Sequence, residues 1–306
     1  MEMKKILLSA SFLPAILATA WAQEGALDVL DGETLYEDGW LMTAGYEFRL
    51  RRGLLDGSDR VGDALHQSEV THAAVASAHY GLFHTLQLGA IVPYVSRELK
   101  LDDPTGPDRL ASSGMGDVTL YAKWRYYRWD DVGIALNFAL LAGLELPTGK
   151  DDVVDKGVVL PADLQPGSAS WDPFIGTAVT HEPGRWRFNA MALYKRVGEG
   201  THEVKQGDQF FAELAAGNRF WLEPYPGPFM RADVMLRYRH EWVDRRSGGV
   251  VGNTGGDLLT VGVNWAFRPR PTVDIQISIE VPIFEDVRGV QLKNQVAVFF
   301  GFGLRL

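Results

Sequence analysis

Ser77 and His79 stand two residues apart, so on an extended strand both side chains leave from one face. A serine hydroxyl beside an imidazole is the smallest pair that runs acyl transfer, and a working hydrolase adds a third polar group behind the histidine on an exposed band. The other histidines, His66, His72, His84, His181, His202 and His240, are scattered along the chain, and no His-x-Ser-Asn-Gly segment of the outer-membrane phospholipase type accompanies Ser77. Two acidic clusters, Asp102 with Asp103 and Asp151, Asp152 with Asp155, offer oxygen ligands for calcium but lack the fixed loop spacing of a dedicated site. Gly114-Met115-Gly116 runs on into a strand pattern and not a helix, so it is no dinucleotide fingerprint. Neither a metal nor a cofactor is expected.

The largest set of chemically capable residues is a series of charges, each alternating with apolar neighbours. It comprises Glu47, Arg49 and Arg51; Lys123 and Arg125; Glu145; Arg187 and Lys195; Glu213 and Arg219; Arg231, Asp233, Arg237, Arg239 and Glu241; and Asp274 and Glu280. If neighbouring strands carry them on one face, opposite charges pair across the ladder as a structural network. The same ring of charges also filters solutes by size and sign if it lines a bore. Both readings stand on sequence.

What must position these residues is a long run of strands. Val273, Ile275, Ile277, Ile279, Val281 and Ile283 fall on one face, with Asp274, Gln276, Ser278 and Glu280 on the other. The pattern repeats in segments too long for ordinary globular strands, and a polar face on every strand has no place in a soluble core. The fold class is therefore all-β, a transmembrane antiparallel barrel of about twelve strands in an up-and-down meander of the outer-membrane type. Strands are predicted to start near Trp40, Glu69, Thr85, Gly116, Val132, Trp171, Arg185, Gln209, Phe229, Asp257, Thr272 and Lys293. Connections after even strands are tight, as at Gly81 to His84 or Glu182 to Gly184. Those after odd strands are longer and polar, as at Leu99 to Ser113 and Thr148 to Gly167. A soluble sandwich has no reason to sort its loops by parity; an outer-membrane barrel does, with both termini in the periplasm.

The faces follow. In the fourth strand Val118, Leu120, Ala122, Trp124 and Tyr126 are predicted to meet lipid, and Asp117, Thr119, Tyr121, Lys123, Arg125 and Tyr127 the lumen. The second and sixth strands fit less well: His72 lands on the lipid side of one, and Phe174, Ile175 and Val179 do not share a face in the other. Aromatics gather at the expected rims, Trp40, Tyr80, Trp186, Phe220, Trp265 and Phe267 at one and Phe48, Tyr94, Tyr194 and Trp242 at the other.

The N-terminus sets the route. A basic start at Met1 to Lys5, an apolar stretch from Ile6 to Ala20 and Ala20-Trp21-Ala22 read as a signal peptide over 1–22, cut before Gln23. Residues 23–39 form a short acidic segment expected in the periplasm or tucked into the lumen as a partial plug, and 40–306 the barrel. The chain has 33 glycines, no cysteine and a net charge of −9, a balance that argues against nucleic-acid binding.

Three stretches carry a family resemblance: Gly114-Met115-Gly116-Asp117 running on to Tyr126, Gly143 to Asp152 with its Leu146-Pro147-Thr148-Gly149 core, and Gly167 to Gly176. Together they resemble the MetA-pathway phenol-degradation family of bacterial outer-membrane, channel-like barrels. The resemblance implies passive uptake of small hydrophobic or aromatic solutes without covalent chemistry. Gly301-Phe302-Gly303-Leu304-Arg305-Leu306 resembles the terminal signal read by the barrel assembly machinery, with Leu306 in place of the usual Phe or Trp. That machinery and outer-membrane lipid are the further partners it implies. A lipid-modifying hydrolase using Ser77 and His79, and a closed structural or adhesion barrel, are the alternatives.

Overall fold

The computed structural model describes residues 31–102 and 107–306. The proposed signal peptide, residues 23–30 and Asp103 lie outside the described residues.

Eleven strand elements close into one antiparallel barrel. They are β1 (Trp40–Gly57), β2 (Ser68–Phe83), β3 (Leu86–Lys100), β4 (Val118–Asp131), β5 (Ile134–Leu146), β6 (Asp172–Pro183), β7 (Trp186–Lys195), β8 (Gln209–Leu222), β9 (Phe229–Glu241), β10 (Gly256–Arg270) and β11 (Val273–Arg305). Each pairs with the next, and β11 returns to β1. β11 holds 33 residues, far more than one crossing needs. Its first part pairs with β10, from Val273 opposite Arg270 to Val287 opposite Gly256. Its second pairs with β1, from Val287 opposite Gly57 to Arg305 opposite Leu41. The element runs up the wall and back down, turning near Gly289, whose φ of +73° is a conformation only glycine adopts without strain. Counted by passage, the expected number of about twelve crossings is met.

The connections sort by parity as the sequence predicts. Two residues join β4 to β5 and β6 to β7, while 25 residues separate β5 from β6. The start of β1 and the last residue meet at the short-turn rim, where Trp40 and Leu306 exchange backbone hydrogen bonds of 3.0 and 2.9 Å.

Burial runs opposite to that of a soluble protein. Val234, Leu214 and Val263 point outward and are each more than half exposed, whereas Glu69, Arg97, Lys123 and Lys195 point inward and are about 1 % exposed. An apolar exterior over a polar interior is stable only where the exterior solvent is hydrocarbon.

Three local readings change. Tyr127 does not face the lumen: a bulge between Arg125 and Tyr127 brings it opposite outward-facing Phe138, and the two rings meet edge to face at 5.7 Å. Phe174 faces the lumen with Asp172, Ala178 and Thr180, while Ile175 and Val179 face out, so the sixth strand alternates regularly and needs no bulge. The predicted loop from Leu99 to Ser113 contains a strand, Arg109–Met115, paired with the upper half of β3. Its Ser112, Ser113 and Gly114 hide the alternation that Leu110 and Ser112 keep by pointing inward. His72 does face outward, where its Nδ1 meets the Tyr46 hydroxyl at 2.6 Å and its ring lies 5.6 Å from Phe48.

Register is thus fixed by the cost of turning charges into lipid. Val234→Arg, on the outer face at the middle of β9, is expected to destabilise the barrel by about 2–4 kcal/mol in a denaturant titration from lipid vesicles. A change below 0.5 kcal/mol there contradicts the face assignment.

Candidate functional site: a lumen closed at both ends

Inside the barrel the wall divides into two sectors. Over β2 to β8 the inward residues at mid-height are largely apolar: Val75, Ile91, Tyr121, Leu141, Phe174, Ala178, Met191 and Leu193 form one buried cluster, with Phe211 against it. Two of its rings lie flat because glycine stands opposite. A Cβ at Gly143 would come within 2.2 Å of the Phe174 ring, and one at Gly89 within 2.2 Å of Tyr121. Over β8 to β11 and β1 the same level is mostly ionic, around buried Met235 and Phe299: Arg237 bridges Glu213, at 2.5 Å, and Glu280, and Arg49 pairs with Glu47.

At the short-turn end, residues 31–39 cross the opening. Asp31 is buried and accepts from Lys123 Nζ on β4 at 2.8 Å and from Arg187 on β7 at 2.8 Å. Arg187 also reaches Glu33 at 2.9 Å and Glu182 at 2.5 Å. The backbone amide of Gly32 donates to Thr180 Oγ1 at 2.9 Å, and that of Leu35 to Gln87 Oε1 at 3.1 Å. A carboxylate taken out of water is tolerable only when so paired, and removing it strands two buried cations.

At the long-loop end, the connection from β5 to β6 folds into the mouth. Its Leu160 and Leu164 pack with Leu54 of β1, Leu99 of β3, Leu110 and Leu292 of β11, so the loop spans from one side of the barrel to the other. Arg97, buried on the inner face of β3, donates to the carbonyls of Asp163, at 3.0 Å, and Gln165. Gln165 satisfies the loop's own backbone, accepting from Val153 N at 2.9 Å and donating to Leu160 O at 2.9 Å.

The three family-like stretches converge at the root of this loop. Asp117 accepts from Gly149 N at 2.7 Å through one oxygen and from Ser168 N at 2.6 Å through the other. Lys150 N donates to Met115 O and Gly167 N to Lys150 O. Gly149 and Gly167 approach so closely that a Cβ on either would fall 2.6 Å from the other's backbone. The motif thus ties down both ends of the mouth loop; as punctuation it has a mechanical purpose.

The predicted charges all point inward, and most find partners. Lys195 lies 3.6 Å from Glu145 and 3.8 Å from Asp172. Arg231 pairs with Asp233 at 2.8 Å, Arg219 with Glu182, and Asp274 with Arg268 and with Arg305 at 2.7 Å. Arg51 donates to Leu292 O at 3.3 Å, and Arg239 and Glu241 stand toward the long-loop end of β9. Arg97, Gln87 and Asp31 complete the site and were not among the predicted set. Arg97 shares its face with Gln87, Ile91 and Val95, an alternation readable in the sequence had the third strand been scored for charge.

Ser77 and His79 do form a hydrogen bond, of 2.6 Å through Nε2. The serine also meets Thr43 Oγ1 at 2.5 Å, and His79 Nδ1 meets the Tyr121 hydroxyl at 2.7 Å, itself bound by Gln87. The pair faces the lumen, fully buried, and its third member is a phenol. That arrangement joins β1 to β4 through a chain of hydrogen bonds, on the side of the wall away from lipid substrate. Among the described residues no group of three or more His, Cys, Asp or Glu is placed to hold a metal ion.

The family model described as "Putative MetA-pathway of phenol degradation" matches residues 53–283. The chain belongs to that family. Among solved structures it is similar to an outer membrane channel from Pseudomonas putida F1, with a TM-score of 0.70, 15 % identity, and 92 % of this chain and 100 % of that one covered. More distant are the β domain of the Bordetella autotransporter BrkA (TM-score 0.49, 11 % identity, 88 % and 100 % covered) and the CymD monoaromatic hydrocarbon channel (0.43, 10 %, 89 % and 89 %). No curated protein matches the chain. The fold is that of an outer-membrane β-barrel channel.

Burial raises the Asp163 carboxyl to about 7, with the Glu69 charge acting in the same direction and the Arg97 charge against it. Asp244, also in a loop, is raised to about 6 by burial. A carboxyl raised on docking favours its neutral form, so the docked loop is most stable below about pH 4 and weakens as pH rises through 7. Conductance in planar bilayers is expected to be several-fold higher at pH 8 than at pH 5, and Asp163→Asn to flatten most of that dependence. An unchanged profile in the variant removes Asp163 from the closure.

Proposed function

We propose that this barrel passes small hydrophobic or aromatic molecules across the outer membrane by diffusion, without energy input or covalent chemistry. The observation that carries the reading is the apolar belt from Val75 to Phe211 inside a wall whose other inward residues are mostly polar or charged. A water-filled sieve for polar solutes has no use for Phe174, Tyr121 and Leu141 in its bore, whereas a planar apolar solute gains about 25 cal/mol per Å² of surface it buries against them. The family's name and its likeness to outer-membrane channels support the same reading. In this account the solute enters past the loop bearing Leu160 and Leu164, crosses the belt, and leaves past Asp31 into the periplasm. The paired charges from Glu47 to Glu280 set the bore's width and keep its ion flux small.

The same proposal covers the route of the chain itself: export by the segment 1–22, removed after Ala22, and insertion through the terminal strand ending at Leu306 by the assembly machinery. Amino-terminal sequencing of the protein from isolated outer membranes is expected to begin at Gln23; a start at Met1 contradicts the export reading.

Liposomes carrying the purified protein are expected to take up phenol and toluene faster than empty ones, with little gain for glucose. Asp31→Asn, which removes the shared partner of Lys123 and Arg187, is expected to raise uptake several-fold. Uptake equal to that of empty liposomes in both proteins eliminates the transport reading.

A further inference from the structure

Between segment 31–39 and the short-turn rim lies a cavity of about 420 Å³. Its size falls within the roughly 300–1,000 Å³ of small-molecule sites, and it sits where a solute leaving the belt must pass. Its lining is unlike the rest of the lumen. Eight cationic side chains face it against four acidic ones, Asp31, Glu33, Asp130 and Glu182.

The excess has an address. Lys123 and Arg187 are engaged by Asp31, Arg219 by Glu182, Arg231 by Asp233 and Arg268 by Asp274. Arg125 has no carboxylate within ion-pair distance among the described residues. One terminal nitrogen donates to His84 O at 2.6 Å, which fixes the guanidinium, and its buried Nε has no acceptor. A buried donor without a partner is costly, and a guanidinium is matched best by a carboxylate. Across the same cavity stands Phe229, whose ring carries Arg268 at 4.9 Å and Arg219 at 5.7 Å from its centroid. Phe229 and the guanidiniums over it form a flat cationic surface, and a planar guanidinium accepts a second flat ring bearing negative charge on its free face.

We propose that this vestibule is a binding site for small aromatic carboxylates, with Arg125 as the carboxylate's partner and Phe229 as the surface for the ring. The proposal rests on the channel reading above and narrows its substrate class to include the anionic, oxidised members. The solute's charge also competes with Asp31 for Lys123 and Arg187, so occupancy of the vestibule loosens the segment that closes it.

The test is calorimetric titration of the detergent-solubilised full chain with benzoate, benzyl alcohol and benzylammonium, alongside chloride and inorganic phosphate. Benzoate is expected to bind at least tenfold more tightly than the other four. Arg125→Gln should lose that margin and Arg125→Lys keep most of it, while Phe229→Leu should weaken benzoate and leave the weak binding of phosphate unchanged. Heat-modifiable gel migration checks that each variant is folded, and the Lys variant carries the test should the Gln variant fail it. Equal affinity for benzoate and benzyl alcohol, or benzoate binding undiminished in a folded Arg125→Gln, overturns the proposal. Because binding is read without transport, benzoate bound by a protein that takes up no solute overturns the channel reading alone.

Discussion

Charge cannot face hydrocarbon, and everything in this barrel follows from that. Each strand alternates, so excluding charge from the outer face forces it onto the inner one, where Arg97, Lys123, Glu145, Arg187, Lys195 and Asp233 are all buried. A lumen of this bore offers too little water to solvate so many ions singly. They are instead neutralised in place, strand to strand through Arg237 with Glu213 and Glu280, or strand to segment through Lys123 and Arg187 with Asp31. The ion pairs are thus a consequence of membrane insertion before they are a feature of transport, and replacing them piecemeal strands a buried partner.

The two closures differ in physics. The short-turn end is held by Coulombic contacts around Asp31, which a charged solute or a change in ionic strength weakens. The long-loop end is held by a cluster of leucines and by Arg97 on two backbone carbonyls, contacts that depend on apolar burial more than on charge. Asp117 anchors the root of that loop without touching its tip. Between them the apolar belt gives a hydrophobic solute somewhere to be.

Much of this was legible in the chain. Strand order, loop parity, the inward row of charges and the closure of the last strand on the first all follow from a period of two and from where prolines and glycines fall. What sequence hides is anything set by two distant segments at once. Phe174 looked misplaced because it was judged against Ile175 and Val179, when its partner is the space left by Gly143 on the neighbouring strand. Tyr127 was put on the wrong face because a one-residue bulge leaves no mark in a local pattern. Arg97 sits beside a predicted loop that contains a strand, so its pairing is invisible in the local pattern. The family-like Gly114-to-Asp117 and Leu146-to-Gly149 stretches read as turns, and only the fold shows that Asp117 joins them to Ser168.

If the mouth loop admits the solute, as the proposed route requires, then locking it to the wall must stop uptake. The chain has no cysteine, which makes the test direct: Leu160→Cys with Leu292→Cys places a thiol on the loop and one on β11, within the same cluster. Phenol uptake into liposomes is then measured with the pair oxidised and after reduction. The account predicts uptake near that of empty liposomes when the bridge is closed and recovery to the wild-type rate when it is opened. Wild-type uptake through the oxidised, fully bridged protein would contradict it.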